Sequence, residues 1–217
     1  MKLAKICLAS YPRSGSKWLR FLLCNVAHPL SGGHDFGTVD YYFPRDEPGS
    51  LSRSFSPRWF FATHERPEMV TGQASFYIYL HRHVGDVLIS NYHYHKQSLN
   101  YTGSLQEYIK ENGFGLHWRF HIDSLIANPD PFFLISYDEI GRLSSIETLL
   151  EYIGFSPEDA EQAIELSAFD TMVKSDRGKR HHCRVGTSNQ WKELPKSLQD
   201  QIIQANKKQL DWLKYRK

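Results

Sequence analysis

Residues 4–18 read AKICLASYPRSGSKW. The run Ala4–Ala9 is apolar apart from Lys5 and has the length of a buried strand. From Ser16 to His28 the period changes, and Trp18, Leu19, Leu22, Leu23 and Val26 fall on one helical face. The small residues between them make a tight turn. A strand, such a turn and a helix start form an anion site, because free backbone N–H groups and the positive end of the helix dipole converge on one point. Gly15 lets the backbone approach an oxyanion, Ser14 and Ser16 offer hydroxyls, and Arg13 and Lys17 bring full charges. A plain strand-to-helix turn with a serine cap uses the same residue types, so this segment alone leaves both readings open. It is not a Walker A loop: five residues before Gly15 stands Ser10, and Ser16 occupies the place of the required lysine.

Outward from this segment, short apolar runs alternate with helical periodicity. Strands are predicted at Arg58–Thr63, Ala74–Leu80 and Pro131–Tyr137. Helices are predicted at Val84–His95, Ser104–Glu111, Leu116–Ala127, Ile146–Ile153, Pro157–Leu166 and Leu198–Leu213. Gly32–Pro57 and Lys174–Gln190 read as loops. The alternation predicts an α/β fold: a single domain over residues 1–217, with a mostly parallel central sheet flanked by helices and a site outside the strands' carboxyl ends. A length of 217 residues suits one domain.

Composition narrows the function. The formal charge is +2, which offers no global reason to bind nucleic acid, so any anion must be held locally. Three cysteines (Cys7, Cys24, Cys183) imply no disulfide framework and suit a reducing, cytoplasmic setting. The apolar run Phe21–Ala27 is too short to span a bilayer. The histidine pairs and the His181-His182-Cys183 run form no closed ligand set, so no metal is expected.

The run YPRSGSKW resembles the 5′-phosphosulfate loop of sulfotransferases that use 3′-phosphoadenosine 5′-phosphosulfate (PAPS), and three later segments agree with it. In Tyr79–Tyr92 an arginine, Arg82, ends a strand and a serine, Ser90, follows eight residues later, as in the family's 3′-phosphate motif. A guanidinium fork suits such a phosphate. In Phe60–His64, a Thr-His at a strand end is similar to the family's catalytic base, and an imidazole can accept a hydroxyl proton at neutral pH. Arg184–Lys192 resembles the family's C-terminal Arg-x-Gly-x-x-Gly-x-Trp-Lys motif, which implies that Arg184, Val185 and Gly186 reach the 3′-phosphate. Ser167 to Met172 resembles the adenine-pocket segment. It implies Ser167 and Phe169 on one face of the base, Trp18 on the other and Tyr137 at its edge.

The resemblance implies His64 and Arg13 as catalytic residues. It implies a cofactor site of Arg13, Ser14, Gly15, Ser16, Lys17, Trp18, Arg82, Ser90, Tyr137, Ser167, Phe169, Arg184, Val185 and Gly186. It implies PAPS as donor, PAP as product, no metal, and a small-molecule acceptor with a hydroxyl or amine. Alternatives are a non-catalytic PAP-binding module or a small-molecule kinase. Departures from the pattern are Ala62, where many relatives have lysine, Lys17, a candidate replacement, and Val185 and Asn189. The loop before Arg184 is short for the family, implying an open acceptor site. The family's dimerisation motif is not recognisable, so the oligomeric state stays open.

Overall fold

A computed structural model describes residues 5–30, 32–45, 60–168, 170–172 and 186–215. Four strands, β1 (Ile6–Ser10), β2 (Phe60–Thr63), β3 (Phe76–His81) and β4 (Phe132–Ser136), form a parallel sheet in the order β2-β1-β3-β4. Their sequences are apolar on both faces because helices cover both, which is why no alternating pattern appears. Ile6 and Leu8 of β1 pack on one face with α1 (Ser16–Ala27), α2 (Phe36–Tyr42), α7 (Leu143–Tyr152) and α8 (Ala160–Leu166). Cys7 and Ala9 face the opposite core. That core is built from α3 (Pro67–Val70), α4 (Val84–Ser98), α5 (Leu105–Glu111), α6 (Leu116–Ala127), α9 (Lys196–Ala205) and α10 (Lys207–Tyr215). Each fully buried leucine or isoleucine here contributes about 1.5–3 kcal/mol.

The topology fixes where a ligand can sit. From β1 the chain passes through α1 and α2 to β2 on one side, then crosses to lay β3 on the other. The helices that follow β1 and β3 leave toward opposite faces, so the loops above these strands diverge and open a crevice. Because all strands run one way, Tyr11, His64, Arg82 and Tyr137 emerge at the same edge of the sheet.

Two expectations change in detail. The Gly32–Pro57 segment holds a helix, α2, started by a reciprocal Asp35–Thr38 capping box. The predicted helix Leu198–Leu213 is two helices that meet at Asn206. Asn206 is buried, and its amide donates to the carbonyls of Ile202 and Phe114, turning the chain onto the α5–α6 corner. Among the described residues, no helix is long and apolar enough to cross a membrane.

Candidate active site

The turn after β1 is held open as an anion cradle. The Ser14 N–H closes it on the Tyr11 carbonyl, Arg13 has φ +68°, and Gly15 has φ +100° at the N-cap of α1. A Cβ on Gly15 would lie 2.4 Å from the Tyr137 ring, so no other residue fits there without displacing the ring. No side chain caps α1, in contrast to the serine-capped turn, and the first N–H groups of the helix have no intrahelical acceptor. Among the described residues Ser14 Oγ is buried with no hydrogen-bond partner. A donor left this way costs about 1–3 kcal/mol, which a bound oxyanion would recover.

Side chains from the other strand ends converge here. Arg13 Nε donates to Ser90 Oγ at 3.2 Å, and its guanidinium lies over the Tyr94 ring. Arg82 is buried, with its guanidinium 4.0 Å from the centre of the Tyr137 ring and Nη2 donating to the Thr187 carbonyl at 2.8 Å. Its Nε has no partner among the described residues. Trp18 meets Tyr137 edge to face, and its indole N–H donates to the Ser167 carbonyl. Ser167 itself is fully buried and its hydroxyl accepts from Asn25, so it supports Trp18 from behind. Lys17 turns toward α2: its ammonium is 2.6 Å from Asp40, which also pairs with buried Arg20.

His64 is half-buried at the end of β2, and its Nδ1–H donates to the Ser10 carbonyl at 2.8 Å. That bond fixes the tautomer and leaves Nε2 with its lone pair. Desolvation, ahead of nearby Arg45 and His121, lowers the His64 pKa to about 4, so the ring is unprotonated near pH 7. His121 holds the residue from the other side. Its Nε2–H donates to the His64 carbonyl, and its Nδ1 accepts from the Tyr79 hydroxyl at 2.7 Å. Nothing in the local sequence around His121 signals this role.

One cavity of about 570 Å³ is lined by Arg13, Gly15, Ser16, Lys17, Trp18, His64, Arg82, Ser90, Tyr137 and Gly186 from the sequence-based set, while Ser14 and Ser167 lie behind its lining. Phe169, Arg184 and Val185 lie outside the described residues. The segment after them is clasped onto α4. Asp86 accepts from the N–H groups of Asn189 and Trp191, His83 stacks on Trp191 at 4.2 Å, and a Cβ on Gly85 would lie 2.5 Å from Trp191 Cβ. Sequence reasoning missed this clasp, although Gly85-Asp86 stands inside the quoted Arg82–Ser90 motif. No group of three or more His, Cys, Asp or Glu side chains suited to a metal occurs among the described residues.

Comparison with known proteins gives concordant results. The sulfotransferase domain family matches residues 3–211. Human sulfotransferase 2A1 is 26% identical over 86% of this chain and 77% of its own length. A flavonol sulfotransferase-like protein of Flaveria bidentis is 22% identical over 86% of this chain and 75% of its own. Mouse sulfotransferase SULT7A1, solved with PAP, superposes with a TM-score of 0.78 at 18% identity, covering 100% of this chain and 89% of that one. A retinol dehydratase solved with androsterone and PAP superposes with a TM-score of 0.76 at 15% identity, covering 95% and 80%.

Proposed function

The chain belongs to the sulfotransferase family, and on that premise we propose that it moves a sulfuryl group from PAPS to the hydroxyl or amine of a small acceptor, with His64 as general base. The observation that carries the reading is the pairing, in one cavity, of an uncapped helix start with a neutral imidazole of fixed tautomer. The residues present fit the donor. Among the described residues Ser14 Oγ and Arg82 Nε are buried without a partner, and the bare backbone at Gly15 leaves room for an oxyanion.

When bound, PAPS supplies an activated sulfuryl group. The α1 start, Ser14, Ser16 and Arg13 would hold its 5′ end. Arg82, Ser90 and the Gly186 backbone would hold the 3′-phosphate, with Trp18 and Tyr137 beside the adenine. Arg184, Val185 and Phe169 complete that assignment from sequence. His64 Nε2 takes the acceptor proton as the new bond to sulfur forms. Arg13 and the loop N–H groups balance charge on the phosphate oxygen that leaves. Remote contacts at Arg82 orient the reacting end. A cytoplasmic setting and a single domain are part of the proposal.

The test separates chemistry from binding. His64→Ala is expected to lower transfer by about 10²–10⁴ while the Kd for PAP, read by calorimetry, stays at the wild-type value. Full turnover in that variant refutes the base assignment. A wild-type protein that takes ATP and Mg²⁺ in preference to PAP refutes the donor.

A further inference from the structure

Beyond the residues assigned to the donor, the wall of the cavity is built from the side chains of α4, α5 and the start of α6, together with Tyr11 and Arg45. Its chemistry is distinctive. Tyr94, His95, Tyr108, Asn112 and His117 line it, and among the described residues the whole cavity has no aspartate, no glutamate and, Pro12 and Met172 apart, no aliphatic side chain. Such a wall offers ring faces for stacking and hydrogen-bond donors at the edges.

Arg45 adds a charge. Its backbone bridges to Ala62, two residues before His64, and Pro44 accepts the Ala62 N–H at 3.0 Å, so the segment is pinned to the edge of β2. The other cavity cations have polar partners: Arg13 donates to Ser90, Lys17 pairs with Asp40, and Arg82 donates to Thr187. Among the described residues Arg45 has no carboxylate partner, and its charge is one of those that keep the His64 ring neutral. A cation beside the base, in a cavity with no acid among the described residues, favours an acceptor that carries its own anion.

We propose that the acceptor is a small hydroxylated acid: a polar ring that stacks among Tyr94, His95 and Tyr108, presents its hydroxyl to His64 and places a carboxylate on Arg45. The proposal rests on the sulfotransfer reading above and deepens it. The chemistry is balanced as before. The acceptor O–H proton passes to His64, the acceptor oxygen bonds to sulfur, and the bond from sulfur to the donor's phosphate oxygen breaks. The carboxylate takes no part in bond changes.

The experiment begins with PAP titrated into wild-type protein and Arg45→Gln by calorimetry. Then 4-hydroxybenzoate and glucuronate, their neutral counterparts methyl 4-hydroxybenzoate and methyl glucoside, and androsterone are titrated into the PAP-loaded proteins. Transfer rates with PAPS are measured for the same compounds. At least one acid is expected to bind ten-fold or more tightly than its neutral counterpart and than androsterone. Arg45→Gln is expected to abolish that preference by weakening only the acid, raising its KM with kcat little changed, while the PAP Kd moves less than two-fold. Preference for glucuronate marks a sugar acid, and preference for 4-hydroxybenzoate a phenolic acid. Equal binding of acid and neutral compound, tightest binding of androsterone, or no binding of either acid to PAP-loaded protein overturns the proposal. So does a weakened PAP Kd in Arg45→Gln, which would give Arg45 to the donor. Failure of wild-type protein to bind PAP refutes the donor reading itself.

Discussion

The two halves of the cavity are made differently. The half assigned to the donor is mostly backbone: a turn, a helix start and a glycine that a ring presses against, backed by Arg82 and Arg13. The half assigned to the acceptor is side chains alone, contributed by three helices and the edge of β2. Backbone geometry tolerates no gradual change, because one Cβ destroys it, whereas a wall of side chains can be altered one residue at a time. The first design suits a ligand common to a whole family. The second suits a ligand that differs from member to member.

The strongest way to break this contrast is Gly15→Ala. The added Cβ meets the Tyr137 ring at 2.4 Å and must adopt φ +100°, a region that costs a non-glycine residue about 1–3 kcal/mol. PAP affinity is expected to fall by roughly 100-fold, the effect of about 2.7 kcal/mol. On the other side of the cavity, Tyr108→Phe is expected to leave PAP affinity unchanged. Calorimetric titration of both variants decides it. A large loss in Tyr108→Phe, or none in Gly15→Ala, erases the distinction between the halves.

A smaller effect is expected at the clasp. Asp86 is buried and its carboxylate accepts two N–H groups, those of Asn189 and Trp191. Asp86→Ala leaves both donors unpaired and frees the segment that carries Gly186 and Thr187, the latter being the acceptor for Arg82. PAP binding is expected to weaken by about ten-fold, or ~1.4 kcal/mol, with transfer at saturating donor unchanged and the melting temperature lowered. A drop in the saturated rate instead would place the clasp in the chemistry, and the donor half would then depend on side chains as much as the other.

The same contrast explains what the sequence disclosed. The turn at Ser10–Trp18 was legible because every part of it is contiguous, and a strand-to-helix change of period announces it. All four strands and most helices followed from periodicity for the same reason. The place of His64 on the cavity was legible because strand ends open onto the crevice in this topology. Groups whose roles depend on long-range contacts were not. His121 reaches the His64 carbonyl across 57 residues, and Arg45 gains its meaning from a bridge to Ala62. Lys17, by sequence a candidate replacement for the cation absent at Ala62, pairs with Asp40 of α2. Ser167, read as touching the base, supports Trp18 through its carbonyl while Asn25 takes its hydroxyl.

The mildest test concerns pH, and bears on whether the base belongs to the side-chain half alone. An exposed imidazole titrates near 6.5, and burial brings His64 to about 4. The charged form is disfavoured, so Nε2 stays free above that value. Transfer at low donor concentration is expected to hold down to about pH 5 and to fall below it as His64 takes a proton. At saturating donor the acid limb moves upward, since an anion beside the ring favours its protonated form. If the base were isolated from the donor half, the limb would not move. Stability must be followed in parallel, because His83 and His121 are likewise lowered to about 4 by burial. Between pH 6.5 and 4 the unfolded chain binds protons that the fold refuses at all three rings, so stability is complete above 6.5 and declines as pH falls through this window. Circular dichroism at each pH separates lost fold from a protonated base. A rate that halves at pH 6.5 at low donor concentration in fully folded protein would mean that the His64 ring is solvated, and that the burial on which this assignment depends does not hold.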